Sequence, residues 1–187
     1  MTVKKHALFI HSAGPQGPDQ GSSGLSFYLQ KELSKDVHFF HPSMPAPENP
    51  QYVLWKKQIS LALQRLSGEV LLIGHSLGGS ALLKYLSEES LSCTVSGLFI
   101  IASPFWGRSP EWQLENYTLH ADFEKALPAL PYIFLYHSFR ENVVPFSHHQ
   151  AYARKLPQSI QRILPGEEHL FSKGLPILVK DVRSLQL

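Results

Sequence analysis

The apolar run Val70-Leu71-Leu72-Ile73 breaks off at Gly74-His75-Ser76-Leu77-Gly78, and from Leu77 to Glu89 the residues Ala81, Leu82, Tyr85 and Leu86 recur at helical spacing. A buried strand, a tight turn and a helix are therefore expected in immediate succession, with the pentapeptide G-x-S-x-G at the turn. This context constrains the chain more than any other stretch. The turn forces the serine backbone into a strained conformation, and side chains at positions 74 and 78 would collide with the neighbouring helix and strand. Ser76 then projects alone above a sheet with a helix N-terminus beneath it, the arrangement that makes a serine a candidate nucleophile.

The rest of the chain repeats this alternation. Short apolar runs occur at Ala7 to Ile10, Val37 to Phe40, Val95 to Ile101, Tyr132 to Tyr136 and Ile160 to Leu164, and helix patterns fall at roughly 22–34, 51–66, 77–89, 119–127, 146–156 and 175–185. Strands separated by helices imply right-handed crossovers and a mostly parallel sheet covered on both faces, a three-layer α/β/α sandwich. In the second helix Asn49-Pro50 reads as an N-cap followed by proline at the first helical position, with Trp55, Ile59, Ala62 and Leu66 on the core face. Gly174 and Pro176 place the last helix after Lys173 and leave the loop around His169 irregular. With 187 residues, no repeat and strand–helix patterns on both sides of its proline-rich stretch at 42–50, the chain reads as one domain spanning 1–187.

Composition narrows the partners. The net charge of +2 arises from interspersed charges rather than a basic block, so no footprint for nucleic acid is visible. No apolar stretch approaches the ~18 residues that would span a bilayer. The first residues run into a short strand with no apolar leader, and Cys93 is the only cysteine, which excludes an intramolecular disulfide. The expectation is a cytoplasmic protein acting on a small, weakly charged molecule.

A serine hydroxyl is a poor nucleophile at neutral pH, so Ser76 requires a base, and the base an acid that holds its tautomer. After a strand–turn–helix serine the partners follow in the order acid, then histidine. Tyr132 to Tyr136 is followed by Glu141 in the segment Glu141-Asn142-Val143-Val144-Pro145, and Ile160 to Leu164 by Gly166-Glu167-Glu168-His169. Glu141 and His169 are therefore the candidate acid and base. Asp122 and Glu124, placed in a helix pattern well past the strand that ends near Ile101, read as solvated surface.

These pieces, together with Phe9-Ile10-His11 and with Met44-Pro45-Ala46-Pro47 leading to Trp55, resemble the α/β-hydrolase superfamily. More narrowly, they resemble its small YdeN-like serine hydrolases, which include a retinoblastoma-binding member. The resemblance implies six parallel strands in the order 2-1-3-4-5-6 with little or no lid, and no metal or organic cofactor. It departs from the family pattern twice. Glu141 stands where aspartate is usual, one methylene longer, and His11-Ser12 replaces the frequent His-Gly at the end of the first strand. That loop normally supplies one oxyanion-hole N–H, with Ala13 the first candidate and Ser12 its rival; the other comes from Leu77.

Several residues carry two readings. The pairs His148-His149, His38 with His41, and His6 with His11 lack the spacing of a zinc peptidase and read as surface or hydrogen-bonding histidines. His75 reads as a packing residue that supports the turn, and His11 as one that lies at the substrate site and orients the oxyanion loop. Phe105, Trp106 and Trp112 either line an acyl or aromatic pocket or cover the edge of the core. The expected activity is hydrolysis of small carboxylic esters or related acyl compounds through a covalent acyl-enzyme. The alternative is a protein-interaction module on the same fold with weak or no turnover.

Overall fold

The computed structural model describes residues 5–185. Strands β1 (Lys5–Ile10), β2 (Val37–Phe40), β3 (Glu69–His75), β4 (Thr94–Ile101), β5 (Ile133–Ser138) and β6 (Ile160–Leu164) form one sheet, ordered β2-β1-β3-β4-β5-β6. Every neighbouring pair is parallel. The helices are α1 (Ser23–Leu33), α2 (Tyr52–Gln64), α3 (Leu77–Glu88), α4 (Phe123–Ala126), α5 (Phe146–Lys155) and α6 (Pro176–Ser184). Among the described residues no helix is long and apolar enough to cross a membrane.

Period-two alternation sends successive strand residues to opposite faces, and each face has its own core. Leu8, Ile10, Val70, Leu72, Leu98, Ile100 and Leu135 pack against Trp55 and Ile59 of α2, Leu82 and Leu86 of α3 and Tyr152 of α5. Phe9, Leu71, Ile73, Phe99, Ile101, Phe134 and Tyr136 meet Leu25 and Leu29 of α1 and Leu178 and Val182 of α6. This is the three-layer arrangement that the alternating patterns imply. The edge strand β6 is tied down by charge: Arg162 and the Tyr136 hydroxyl both donate to Asp181, a buried residue of α6.

Two local expectations are corrected. The helix pattern at 119–127 is realised only as the four residues of α4, preceded by a 3₁₀ turn at Glu115–Tyr117. Leu119 and Tyr117 are drawn into the core instead, and Leu127, extended at φ −64 and ψ 143 before Pro128, ends the helix, as the residue before a proline prefers. The cap of α2 is Gln51, not Asn49, because the Leu54 and Trp55 amides bond to the Gln51 carbonyl. Asn49-Pro50 belongs to the preceding turn, in which Asn49 N–H bonds to Ala46 and the Trp55 indole donates to the Pro45 carbonyl. Of the expected core face of α2, Trp55 and Ile59 are fully buried, Ala62 lies at its margin and Leu63 completes it.

Candidate active site

The C-terminal ends of the strands carry the site, where parallel strands release their chain into loops. Ser76 caps α3 with φ 52 and ψ −123, a conformation costly for a residue with a side chain, and its amide is anchored to the Ile101 carbonyl of β4 at 2.8 Å. The glycines allow the turn to close. A Cβ at Gly78 would lie 2.2 Å from the Ile10 carbonyl oxygen, and one at Gly74 would lie 2.6 Å from the Gly79 backbone. Two further non-glycine residues nearby also have positive φ, Ala102 at 47° after β4 and Phe171 at 48° beyond His169. Strained backbone thus occurs at the ends of β3 and β4 and in the loop after β6, as well as at Asp19 and Ala46.

Glu141 and His169, 28 residues apart, meet: His169 Nδ1 is 2.8 Å from Glu141 Oε1. The same oxygen accepts the Val144 N–H at 2.7 Å, which folds the loop after β5 around a carboxylate with a fully buried side chain. Its other oxygen, Oε2, lies 3.4 Å from His137 Nε2, whose hydrogen goes to the Val144 carbonyl at 2.8 Å. Oε2 therefore makes no hydrogen bond among the described residues. The acid and base loops are further sewn together by Ser138 Oγ donating to the Glu168 carbonyl, and by the Phe139 and Arg140 amides donating to Leu164 and Gly166. The extra methylene of Glu141 is accommodated in this loop without loss of the contact to His169.

The base loop also reaches the turn. His75 Nε2 is 2.7 Å from the His169 carbonyl, and the two rings have centroids 5.0 Å apart. His169 therefore stands beside the immediate neighbour of Ser76. The Ser76 hydroxyl, half-buried, makes no hydrogen bond among the described residues.

On the oxyanion side the two candidates separate. Ser12 N–H is already bonded to Ser22 Oγ at 2.9 Å, which removes it as a free donor. Ala13, exposed, keeps an N–H without a partner among the described residues, and so does Leu77 at the first turn of α3. His11 is buried, with Nδ1 3.1 Å from the Ser12 carbonyl and Nε2 3.3 Å from Ser23 Oγ, so it braces this loop.

The aromatic loop after β4 packs as a cover. Phe105 stacks on Tyr152 at 4.7 Å and Phe123 at 6.0 Å, Trp106 contacts Trp112 at 5.4 Å, and Trp112 meets His148 edge-on at 4.5 Å. A depression of about 810 Å³ between Phe105, Arg108 and α5 contains none of Ser76, Glu141 and His169. A cavity of about 720 Å³ along α1, lined by His11, Ser23, Phe27, Tyr28, His41 and Ser172, likewise contains none of the three. It runs from His11 to Ser172 and Lys173, and His169 lines a smaller depression of about 360 Å³ that shares Ser172 with it.

Of the two readings given for His148 and His149, surface or hydrogen-bonding, the structure shows the second. They are 2% and 3% exposed, and α5 turns them inward, where His148 Nδ1 accepts the Phe105 N–H and His149 Nε2 meets Gln161. The histidines grouped in the sequence as His6 with His11 and His38 with His41 pair differently, His6 lying against His38 with ring centroids 5.6 Å apart. Asp122 is exposed and paired with Lys125, and Glu124 pairs with Lys155, both away from His169. Among the described residues no three His, Cys, Asp or Glu side chains converge to hold a metal ion.

Burial holds these interior histidines neutral. It pushes His75 down to about 3, with His169 adding to the effect. His148 falls to about 4 through burial and then Arg108, and His149 to about 4 through burial and then His137. Burial also lowers His11 and His137, the latter partly offset by Glu141. In the unfolded chain each would protonate near pH 6.5, so below that pH the unfolded state binds more protons. The stability these groups contribute is complete above about pH 6.5 and is lost as pH falls toward 4. Thermal unfolding should therefore shift down by roughly 10 °C between neutral pH and about pH 5, on the scale of a few kcal/mol for a chain of this size. A transition temperature that is flat across this window would contradict neutral, buried histidines.

The parallel sheet order, with the strained serine turn at the end of its third strand in sequence, defines an α/β-hydrolase. Within that class the chain belongs to the Serine hydrolase family, which matches residues 26–172. It is 28% identical to YdeN of Bacillus subtilis (strain 168) over 157 residues, covering 81% of this chain and 82% of that one. The crystal structure of the B. subtilis ydeN gene product superposes with a TM-score of 0.83, covering 97% of this chain and 98% of that one at 22% identity. Est1E from Butyrivibrio proteoclasticus superposes with a TM-score of 0.70 at 12% identity, covering 96% of this chain and 86% of that one. The esterase EaEST from Exiguobacterium antarcticum gives 0.63 at 14%, covering 96% and 92%. The protein is thus a serine hydrolase, and it is similar to YdeN.

Proposed function

We propose that this hydrolase cleaves small carboxylic esters or related acyl compounds through a Ser76–His169–Glu141 triad. The observation that carries the reading is the 2.8 Å contact between His169 Nδ1 and buried Glu141, beside a serine held at φ 52. Because Nδ1 is committed to the carboxylate, Nε2 is the nitrogen left to accept a proton from Ser76. The serine oxygen attacks the acyl carbon as its proton passes to Nε2, and the carbonyl oxygen becomes an oxyanion facing the Leu77 and Ala13 N–H groups. Collapse breaks the bond to the leaving alkoxide, which takes the proton from Nε2. Water then repeats the cycle on the acyl-enzyme, releasing the acid and restoring Ser76.

Geometry supports each role with a physical cause. Glu141 Oε2 has no hydrogen bond, so a positive charge arriving on the His169 ring meets carboxylate charge that little else neutralises. The cavity along α1 offers room for a substrate body, with Phe27 and Tyr28 as apolar surface and Ser23 and His41 as polar groups. A fluorophosphonate probe should form one covalent adduct, on Ser76, and p-nitrophenyl esters of increasing acyl length should define the preferred chain. Absence of an adduct on Ser76, with the protein folded, would overturn the reading.

A further inference from the structure

His75 and Ser22, neither of which faces the reacting atoms, form a hydrogen-bonded chain whose direction is fully determined. His75 Nε2 lies 2.7 Å from the His169 carbonyl, which can only accept, so Nε2 carries the ring hydrogen. Burial keeps the ring neutral, leaving Nδ1 without a proton. Nδ1 is 2.6 Å from Ser22 Oγ, so the Ser22 hydroxyl must donate to it, and that same Oγ accepts the Ser12 N–H at 2.9 Å. The chain runs from Ser12 N–H to Ser22, on to His75, and from His75 to the carbonyl of His169. His75 and Ser22 are both 0% exposed, so water cannot substitute for either partner.

We propose that Ser22 and His75 are positioning residues that set the oxyanion loop, the serine turn and the base loop in mutual register; the inference rests on the triad reading above. Capture of the Ser12 N–H leaves the next amide, that of Ala13, as the free donor of the loop, and so selects which N–H faces the oxyanion. At the other end His75 holds the backbone of His169 while Glu141 holds its ring. The same histidine precedes Ser76 in the chain, so a single rigid side chain couples all three loops. These bonds should act on the transition state more than on substrate binding, since register at the ångström level governs the chemical step.

The test measures hydrolysis of p-nitrophenyl acetate by wild type, Ser22→Ala, Ser22→Thr and His75→Gln, with kcat expressed per site titrated by a fluorophosphonate. Ser22→Ala should lower kcat about tenfold or more with KM within about twofold, and Ser22→Thr, which restores a hydroxyl, should recover most of the loss. His75→Gln keeps an N–H for the His169 carbonyl but moves its acceptor oxygen away from the ring Nδ1 position that Ser22 meets, and should lower kcat severalfold; it decides the matter if Ser22→Ala does not fold. Wild-type kcat per titrated site in either variant, with only a lowered unfolding temperature, would overturn the inference and leave a purely structural role. So would a Ser22→Thr enzyme no better than Ser22→Ala. Ser76→Ala in the same assay separates the two levels: if it is active the triad reading itself fails, whereas if it is inactive while Ser22 and His75 variants turn over normally only the positioning role falls.

Discussion

Ser76→Ala is expected to abolish ester hydrolysis, with a loss on the order of 10³-fold or more in kcat, while the thermal unfolding transition stays in place. Alanine has no group to attack the acyl carbon, yet it fits the same turn: the Ser76 hydroxyl makes no hydrogen bond among the described residues, and its amide bond to Ile101 survives the change. His169→Ala should cost a comparable factor, because the serine is reactive only while a base takes its proton. The double variant should then be scarcely slower than either single one, since groups that act as a unit are lost as a unit. The measurement is kcat for the three variants on one p-nitrophenyl ester. A clearly multiplicative double loss would mean that another base serves Ser76, and full activity in Ser76→Ala would end the serine mechanism.

Glu141→Gln tests the acid and should lower kcat on the order of a hundredfold with little change in KM. Oε1 accepts from both Val144 N–H and His169 Nδ1, so a glutamine oxygen there would leave its NH₂ group facing His137 Nε2, itself a donor. The opposite amide orientation sets NH₂ against two donors instead. Neither orientation supplies the negative charge that stabilises an imidazolium on His169, which is why the loss belongs to the chemical step. Glu141→Asp should keep partial activity, because the shorter side chain must choose between Val144 and His169. A Glu141→Gln enzyme with near-wild-type kcat would redirect the search to Glu167 or Glu168, both exposed and adjacent to His169 in the chain.

Much of the framework is legible in the residue order. The apolar runs and helix stripes carry the three-layer sheet because burial of one face leaves a local periodic record. The glycines at 74 and 78 report a turn that tolerates no side chain, for a reason the backbone contacts make explicit. That Glu141 and His169 meet is legible because loops after parallel strands all emerge at one end of the sheet, so position relative to a strand predicts proximity in space. Helix α4 and the start of α2 are misjudged where the pull of Tyr117, Leu119 and Trp55 into the core outweighs local propensity.

What only the tertiary structure decided concerns partners brought together from distant positions. Ser12 stands as a rival to Ala13 for the donor until Ser22, beside the start of α1, takes the Ser12 amide and leaves that of Ala13 free. The inward turn of His148 and His149 depends on Phe105 and Gln161 arriving from other elements, and the linkage of His75 to His169 spans 94 residues. Chain-local signals such as periodicity, turn sterics and strand ends belong to the sequence itself. Which hydrogen bond a buried group makes does not, because it is set by whichever element packs against it, and packing at close density leaves each such group with few partners to choose from.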